Sequence, residues 1–219
     1  MKFRCERDEL VEALGTAGRA VSGRGGMLPV LSGVKAELLG DTLTLTGSDL
    51  DLTVTVGASV KGERDGATVL PAKLANDVVR SLPPGKVTLE VVDDGDGGPQ
   101  ARITADRAEF TLRVTGPEEY PKLPVTDADP VQLEAAEFAR ALHQVTPAAS
   151  TDDNRPIITG VLVAAEEGGL RLVATDSYRL AVKETPVDGT LPDLEAIIPA
   201  RALTELARVA AGTLAISWQ

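Results

Sequence analysis

Two hydrophobic periods alternate along this chain. Phe3 and Cys5 lie on one side of a two-residue repeat, as in a half-buried strand, and Leu10 and Leu14 then recur at the spacing of a helix stripe. LTLTG at 43–47, LDLTVTV at 50–56 and FTLRV at 110–114 alternate apolar with polar residues, which predicts antiparallel strands with one wet face. The segments LRLVA at 170–174 and RLAVK at 179–183 read the same way. VLPAKLANDVVRSLP, at 69–83, returns to the helical period. On a wheel of about 100° per residue, Leu74, Ala75, Val78, Val79 and Leu82 group on one side, with Lys73, Asn76, Asp77 and Arg80 opposite.

The pattern occurs twice. Phe3, Cys5, Leu10 and Leu14 recur 128 residues later as Val131, Leu133, Phe138 and Leu142. SDLDLTV at 48–54 matches TDSYRLA at 175–181, and VLPAKL at 69–74 matches IIPARA at 197–202, at offsets of 127 and 128. Blocks in one order at one offset indicate a duplicated unit. Between the copies, GPEEYPKLPVTDADP carries Pro117, Pro121, Pro124 and Pro130, which disfavour helix and central strand alike. We therefore expect a first domain at 1–118, a linker at 119–129 and a second domain at 130–219. Each is expected to be α+β, an antiparallel sheet with two helices on one side. The first copy runs on through an acidic Gly-rich turn at 93–98 and ARITADRAEFTLRV, whereas the second ends at LAISWQ. It lacks the last pair of strands, and the polypeptide is expected to continue so that this edge is covered.

The second helices repeat their charges as well. Arg201 and Arg208 follow Lys73 and Arg80 by 128 residues, Glu205 answers Asp77, and Ala202, Leu206 and Ala210 are expected in the buried stripe. Arg19 and Arg140 take outward positions on the first helices. A single outward-facing basic helix is ordinarily a solubility device. Its duplication in a chain with 22 basic and 33 acidic residues points instead to a shared surface of local positive potential. The net charge of −11 is the wrong sign for gripping nucleic acid by bulk attraction, and 3% aromatic residues leave little for base stacking.

Catalytic constellations are missing. The one histidine, His143, falls on the outward side of a predicted helix, and there is no HExxH, P-loop, GxSxG or cysteine pair. Asp49 with Asp51, or Asp152 with Asp153, could meet a cation, but too few oxygen ligands follow at suitable spacing. The turn at 93–98 lacks the Glu of an EF-hand. No metal, cofactor or enzymatic activity is expected. The single cysteine, Cys5, cannot form an internal disulfide and is expected in the core. No apolar stretch approaches the ~18 residues of a membrane span, and the start of the chain lacks a secretory pattern. A cytoplasmic location is expected.

Taken together, MKFRCERDEL, MLPVLSGV at 27–34, LTGSDLDL, VLPAKLANDVVRSLP, EEYPKLP and ATDSYRLAV resemble, in order and spacing, the bacterial DNA polymerase III beta subunit, the sliding clamp family. The resemblance covers essentially the whole chain. It implies the DNA-clamp fold, in which three similar domains per subunit, two subunits to a ring, place helices around duplex DNA. This chain would supply the first domain and most of the second, without the third, and would not close a normal ring alone. By resemblance, Arg24 in the SGRGG loop, Lys73, Arg80, Arg201 and Arg208 face DNA. A dinucleotide-loop reading of that loop, with Gly23, Gly25 and Gly26, fails because Leu28 occupies the third glycine position. The resemblance further implies a pocket for short peptide motifs of the replicative polymerase alpha subunit, the clamp loader and repair proteins. Its wall here would be Ile158, Thr175, Ser177, Tyr178, Arg179 and Leu180, with Ser177 where the family often has glycine. By residue type alone, Ile158 and Leu180 read as ordinary core. A repeat-built ligand- or protein-binding module without a DNA role is the alternative, and it predicts basic faces scattered over the surface.

Overall fold

The computed structural model describes residues 1–21, 28–93, 95, 98–124, 128–187, 191, 193 and 194–218. They form two compact units, Met1–Leu123 and Pro124–Gln219. Arg24 and its glycine loop, most of the acidic turn at 93–98 and linker residues 125–127 lie outside the described residues.

In unit one, strand β1 (Lys2–Glu6) leads into helix α1 (Arg7–Ala17), whose first turn carries Asp8 and Glu9 against the helix dipole. Four strands follow: β2 (Gly33–Leu39), β3 (Thr42–Ser48), β4 (Thr53–Ser59) and β5 (Lys61–Arg64). β6 (Gly66–Pro71) then feeds helix α2 (Ala72–Ser81), which stops before Pro83 and Pro84, and β7 (Lys86–Asp93), β8 (Pro99–Ala105) and β9 (Ala108–Arg113) complete the unit. The strands make two antiparallel sheets, ordered β5-β1-β7-β8-β9 and β4-β3-β2-β6. Alternation marked which residues turn inward, but it carries no information about partners, so the split into two sheets was not legible. The helices pack on each other and close the core, in which Phe3, Leu10, Leu14, Leu45, Leu70, Val79 and Leu89 are sealed from solvent.

Unit two repeats this plan with β10 (Val131–Glu134), α3 (Ala135–Val145), β11 (Gly160–Glu166), β12 (Gly169–Thr175), β13 (Leu180–Pro186), β14 (Glu195–Pro199), α4 (Ala200–Val209) and β15 (Thr213–Ile216). The orders β13-β12-β11-β14 and β10-β15 match β4-β3-β2-β6 and the β1-β7 pair, and α3 packs on α4. Among the described residues, β8 and β9 have no counterpart, and β15 pairs with β10 alone.

The structure shifts two expectations. The buried side of α2 consists of Ala72, Ala75, Val78 and Val79, with Leu82 just beyond, and Leu74 is 52% exposed. In α4 the buried residues are Leu203 and Ala207, the counterparts of Ala75 and Val79, whereas Ala202, Leu206 and Ala210 are half-buried. The true stripe lies further round both helices than the apolar residues alone suggested, centred on Ala75 and Val79 in α2 and on Leu203 and Ala207 in α4. The second shift concerns the linker. Its first residues belong to unit one: after a 3₁₀ turn at Pro117–Glu119, Tyr120 is only 6% exposed and joins Leu31 and Val69 in a separate small cluster, with Leu123 against it.

Candidate functional site

The basic positions occupy the exposed sides of the helices. Lys73 and Arg80 are exposed on α2, and neither makes an ion pair among the described residues. On α4, Arg201 is exposed and the Arg208 guanidinium lies 2.5 Å from Glu205, one turn back. An exposed pair of this kind contributes about 0–1 kcal/mol of stability, but it offsets much of the charge that α4 presents at a distance. Arg140 is exposed on α3. Arg19 is exposed too, but it sits in the 3₁₀ turn Gly18–Ala20 after α1 has ended, because Gly18 caps the helix. Each unit therefore presents two basic residues seven apart on its second helix.

The predicted peptide wall is built on a turn that both units share. In unit two, Asp176 Oδ1 accepts the Tyr178 and Arg179 N–H groups at 3.0 Å each, and Thr175 Oγ1 accepts the Ser177 N–H at 3.1 Å. Unit one does the same: Asp49 accepts from Asp51 and Leu52, and Ser48 from Leu50. The middle residue is left-handed in both, Ser177 at φ 80° and Leu50 at φ 79°. The backbone shape that favours glycine is thus retained with serine in place. β3 ends at Ser48 and β4 begins at Thr53, so Asp49 and Asp51 lie in the turn, with Asp49 as its cap. The Asp176 carboxyl is held below its ordinary range, first by the Tyr178 amide and further by Arg179, whose Nε lies 2.9 Å away.

Beside this turn lies a cleft of about 240 Å³ lined by Ala149, Ser150, Asp152, Arg155, Tyr178 and Arg179, among others. Sequence reasoning missed Arg155, although Asp152 three residues earlier was a usable signal. Its Nε donates to Asp152 Oδ2 at 2.8 Å, Nη1 to Ser177 Oγ at 3.3 Å and Nη2 to Ser150 Oγ at 3.4 Å. Asp152 is occupied by Asn154 and Arg155, which lower its pKa, Asn154 foremost. Of the predicted wall, Tyr178 and Arg179 line this cleft. Thr175 and Ser177 shape the turn, Leu180 follows it as the first residue of β13, and the Ile158 carbonyl accepts the Ser150 N–H at 2.8 Å. Leu180, 66% exposed, is not core, and Ile158 is half-buried. Exposed Ile157, Val182 and Ile197 extend the apolar surface of this unit.

Among the described residues, no group of three or more His, Cys, Asp or Glu side chains could hold a metal ion, and no helix is long and apolar enough to cross a membrane. His143 is exposed on α3.

Residues 1–124 match the family model described as DNA polymerase III beta subunit, N-terminal domain, and residues 132–217 match its central domain. The beta sliding clamp of Micrococcus luteus is 37% identical over 95% of this chain and 66% of its own length. That of Synechocystis is 36% identical over 96% of the chain and 58% of its own. The chain thus spans less than two thirds of these relatives. A crystal structure of the DNA polymerase sliding clamp from Bacillus subtilis superposes with a TM-score of 0.92 at 31% identity, covering all of this chain and 60% of that one. Duplicated units, shared turns and these matches agree, and the chain belongs to the family of the DNA polymerase III beta subunit, the sliding clamps.

Proposed function

We propose that this chain forms the first two domains of a ring that encircles duplex DNA and keeps a replicative polymerase on it, as a processivity factor without catalytic activity of its own. The observation that carries the proposal is the recurrence of Lys73 and Arg80 as Arg201 and Arg208, outward on the second helix of each unit. Such a surface attracts phosphates without specifying sequence, and interleaved Asp77 and Glu205 keep the attraction weak. Weak, sequence-blind contact suits a protein that moves along DNA. Arg19, Arg140 and Arg24 are proposed to add to the same potential. In this reading the full-length polypeptide is a homodimeric ring and works in the cytoplasm.

The turn and cleft of unit two are proposed to hold short peptide motifs of the polymerase alpha subunit, clamp loader and repair proteins. Tyr178 and Leu180 offer apolar contact, while Arg155, fixed by three partners, is set to meet a peptide carbonyl or carboxylate. The experiment is duplex binding as a function of salt, with Lys73→Glu/Arg80→Glu and Arg201→Glu/Arg208→Glu variants. Each pair of changes should reduce affinity and flatten the salt slope by about 2. Unchanged slopes would remove these residues from the DNA side.

A further inference from the structure

The second helices match in sequence but differ in how their charges are held. Lys73, Asp77 and Arg80 of α2 recur at the same spacing as Arg201, Glu205 and Arg208 of α4. On α2 all three side chains are exposed, and none of them makes an ion pair or side-chain hydrogen bond among the described residues. On α4 the charges are tied together. Arg208 Nη1 donates to Glu205 Oε1 at 2.5 Å, and Arg201, one turn before Glu205, is not free either.

The Glu205 side chain is only 15% exposed, against 53% for Arg208. A sheltered carboxylate is screened less by salt than an open one, so its hold on Arg208 persists where a fully exposed pair fades. Three-residue spacing alone does not make such a pair, since Glu137 and Arg140 on α3 have it and are not joined among the described residues.

The difference matters at a phosphate. Arg80 meets one without giving up a protein partner. Arg208 must first leave Glu205, and the carboxylate left behind, one turn away, repels the same phosphate. The number of phosphates neutralised sets the salt slope and is the same for both helices, whereas the affinity gained per phosphate is not.

We infer that α2 supplies most of the attraction for the duplex backbone, and that Glu205 is the residue that holds α4 to a weaker grip. The inference deepens the DNA-facing reading proposed above and rests on it.

The test is fluorescence anisotropy of a labelled duplex with the whole chain at low salt. Asp77→Asn and Glu205→Gln each remove one acid from equivalent positions, so the difference between them isolates the ion pair. Glu205→Gln should strengthen binding about threefold more than Asp77→Asn does, and Arg80→Ala should weaken it about threefold more than Arg208→Ala does. In an Arg208→Ala background the gain from Glu205→Gln should fall to that of Asp77→Asn, as a double-mutant cycle requires of a direct pair. Unchanged thermal melting by circular dichroism verifies that each variant folds. Equal gains from the two acid replacements, or a loss from Arg208→Ala as large as that from Arg80→Ala, would overturn the inference and leave the DNA-facing reading in place. No loss of binding from either arginine variant or from the charge-reversed pairs would remove both.

Discussion

Replacing Ser177 by glycine and by alanine should reverse the usual stability order of those two residues. At an ordinary position glycine is less stable than alanine by about 0.5–1 kcal/mol, because it loses more backbone freedom on folding. Ser177 sits at φ 80°, where any L side chain costs about 1–2 kcal/mol. Both substitutions lose the Arg155 bond to Ser177 Oγ, so that term cancels. The difference leaves glycine ahead of alanine by about 0.5–1 kcal/mol, which for a urea m-value of about 2 kcal/mol/M separates the midpoints by about 0.3–0.5 M. Trp218, the one tryptophan, lies in unit two and donates Nε1–H to the Asp193 carbonyl, so its fluorescence reports this unit. Leu50, at φ 79° in the matching turn, should give the same order when followed by amide exchange in unit one. Alanine equal to or more stable than glycine at both sites would refute the strain argument.

Two further outcomes follow from titrating groups. Burial first, and Glu9 and Glu6 next, push the Cys5 thiol from 9.0 up to about 12. At pH 8 the native protein should therefore react with iodoacetamide about a thousandfold more slowly than the urea-unfolded chain, and equal rates would contradict the burial. Asp176 and Asp152 have lowered pKa values in the folded turns, so their contribution to stability is complete above the ordinary value of 3.8 and is lost as pH falls through the lowered folded values. NMR titration of both carboxyls should give midpoints below 3.8, with the Tyr178 and Arg179 amides staying protected at pH 4. A midpoint at or above 3.8 would mean that the Asp176 cap is not formed in solution.

The duplication was legible because the hydrophobic period, the proline placement and the basic residues of the second helices all repeat at one offset. The α+β class followed from the same periods. What was not legible depended on contacts between distant segments. Alternation cannot tell that β1 pairs with β7 across two helices and five strands, or that β2, β3, β4 and β6 form a sheet of their own. Proline spacing marked residues 119–129 as an extended linker; Glu119 instead ends a 3₁₀ turn, and only the apolar floor at Leu31 and Val69 reveals that Tyr120 and Leu123 are docked. At the candidate site the turn residues Thr175 to Arg179 could be named from the resemblance, yet Arg155 was missed because its role arises from three partners at Asp152, Ser150 and Ser177. By residue type alone Leu180 reads as core, whereas the resemblance assigns it to the peptide wall; it is 66% exposed at the start of β13.

The central claim is that these units help to close a ring around duplex DNA, with the second helices toward it. Its most direct test is retention on DNA by the polypeptide at the full length of its relatives, loaded onto a nicked circle and then challenged by linearising that circle. The account predicts stable retention on the circle and rapid loss from the linear form, with both insensitive to base sequence. Equal retention on circle and linear duplex, or loss from both at the same rate, would contradict it.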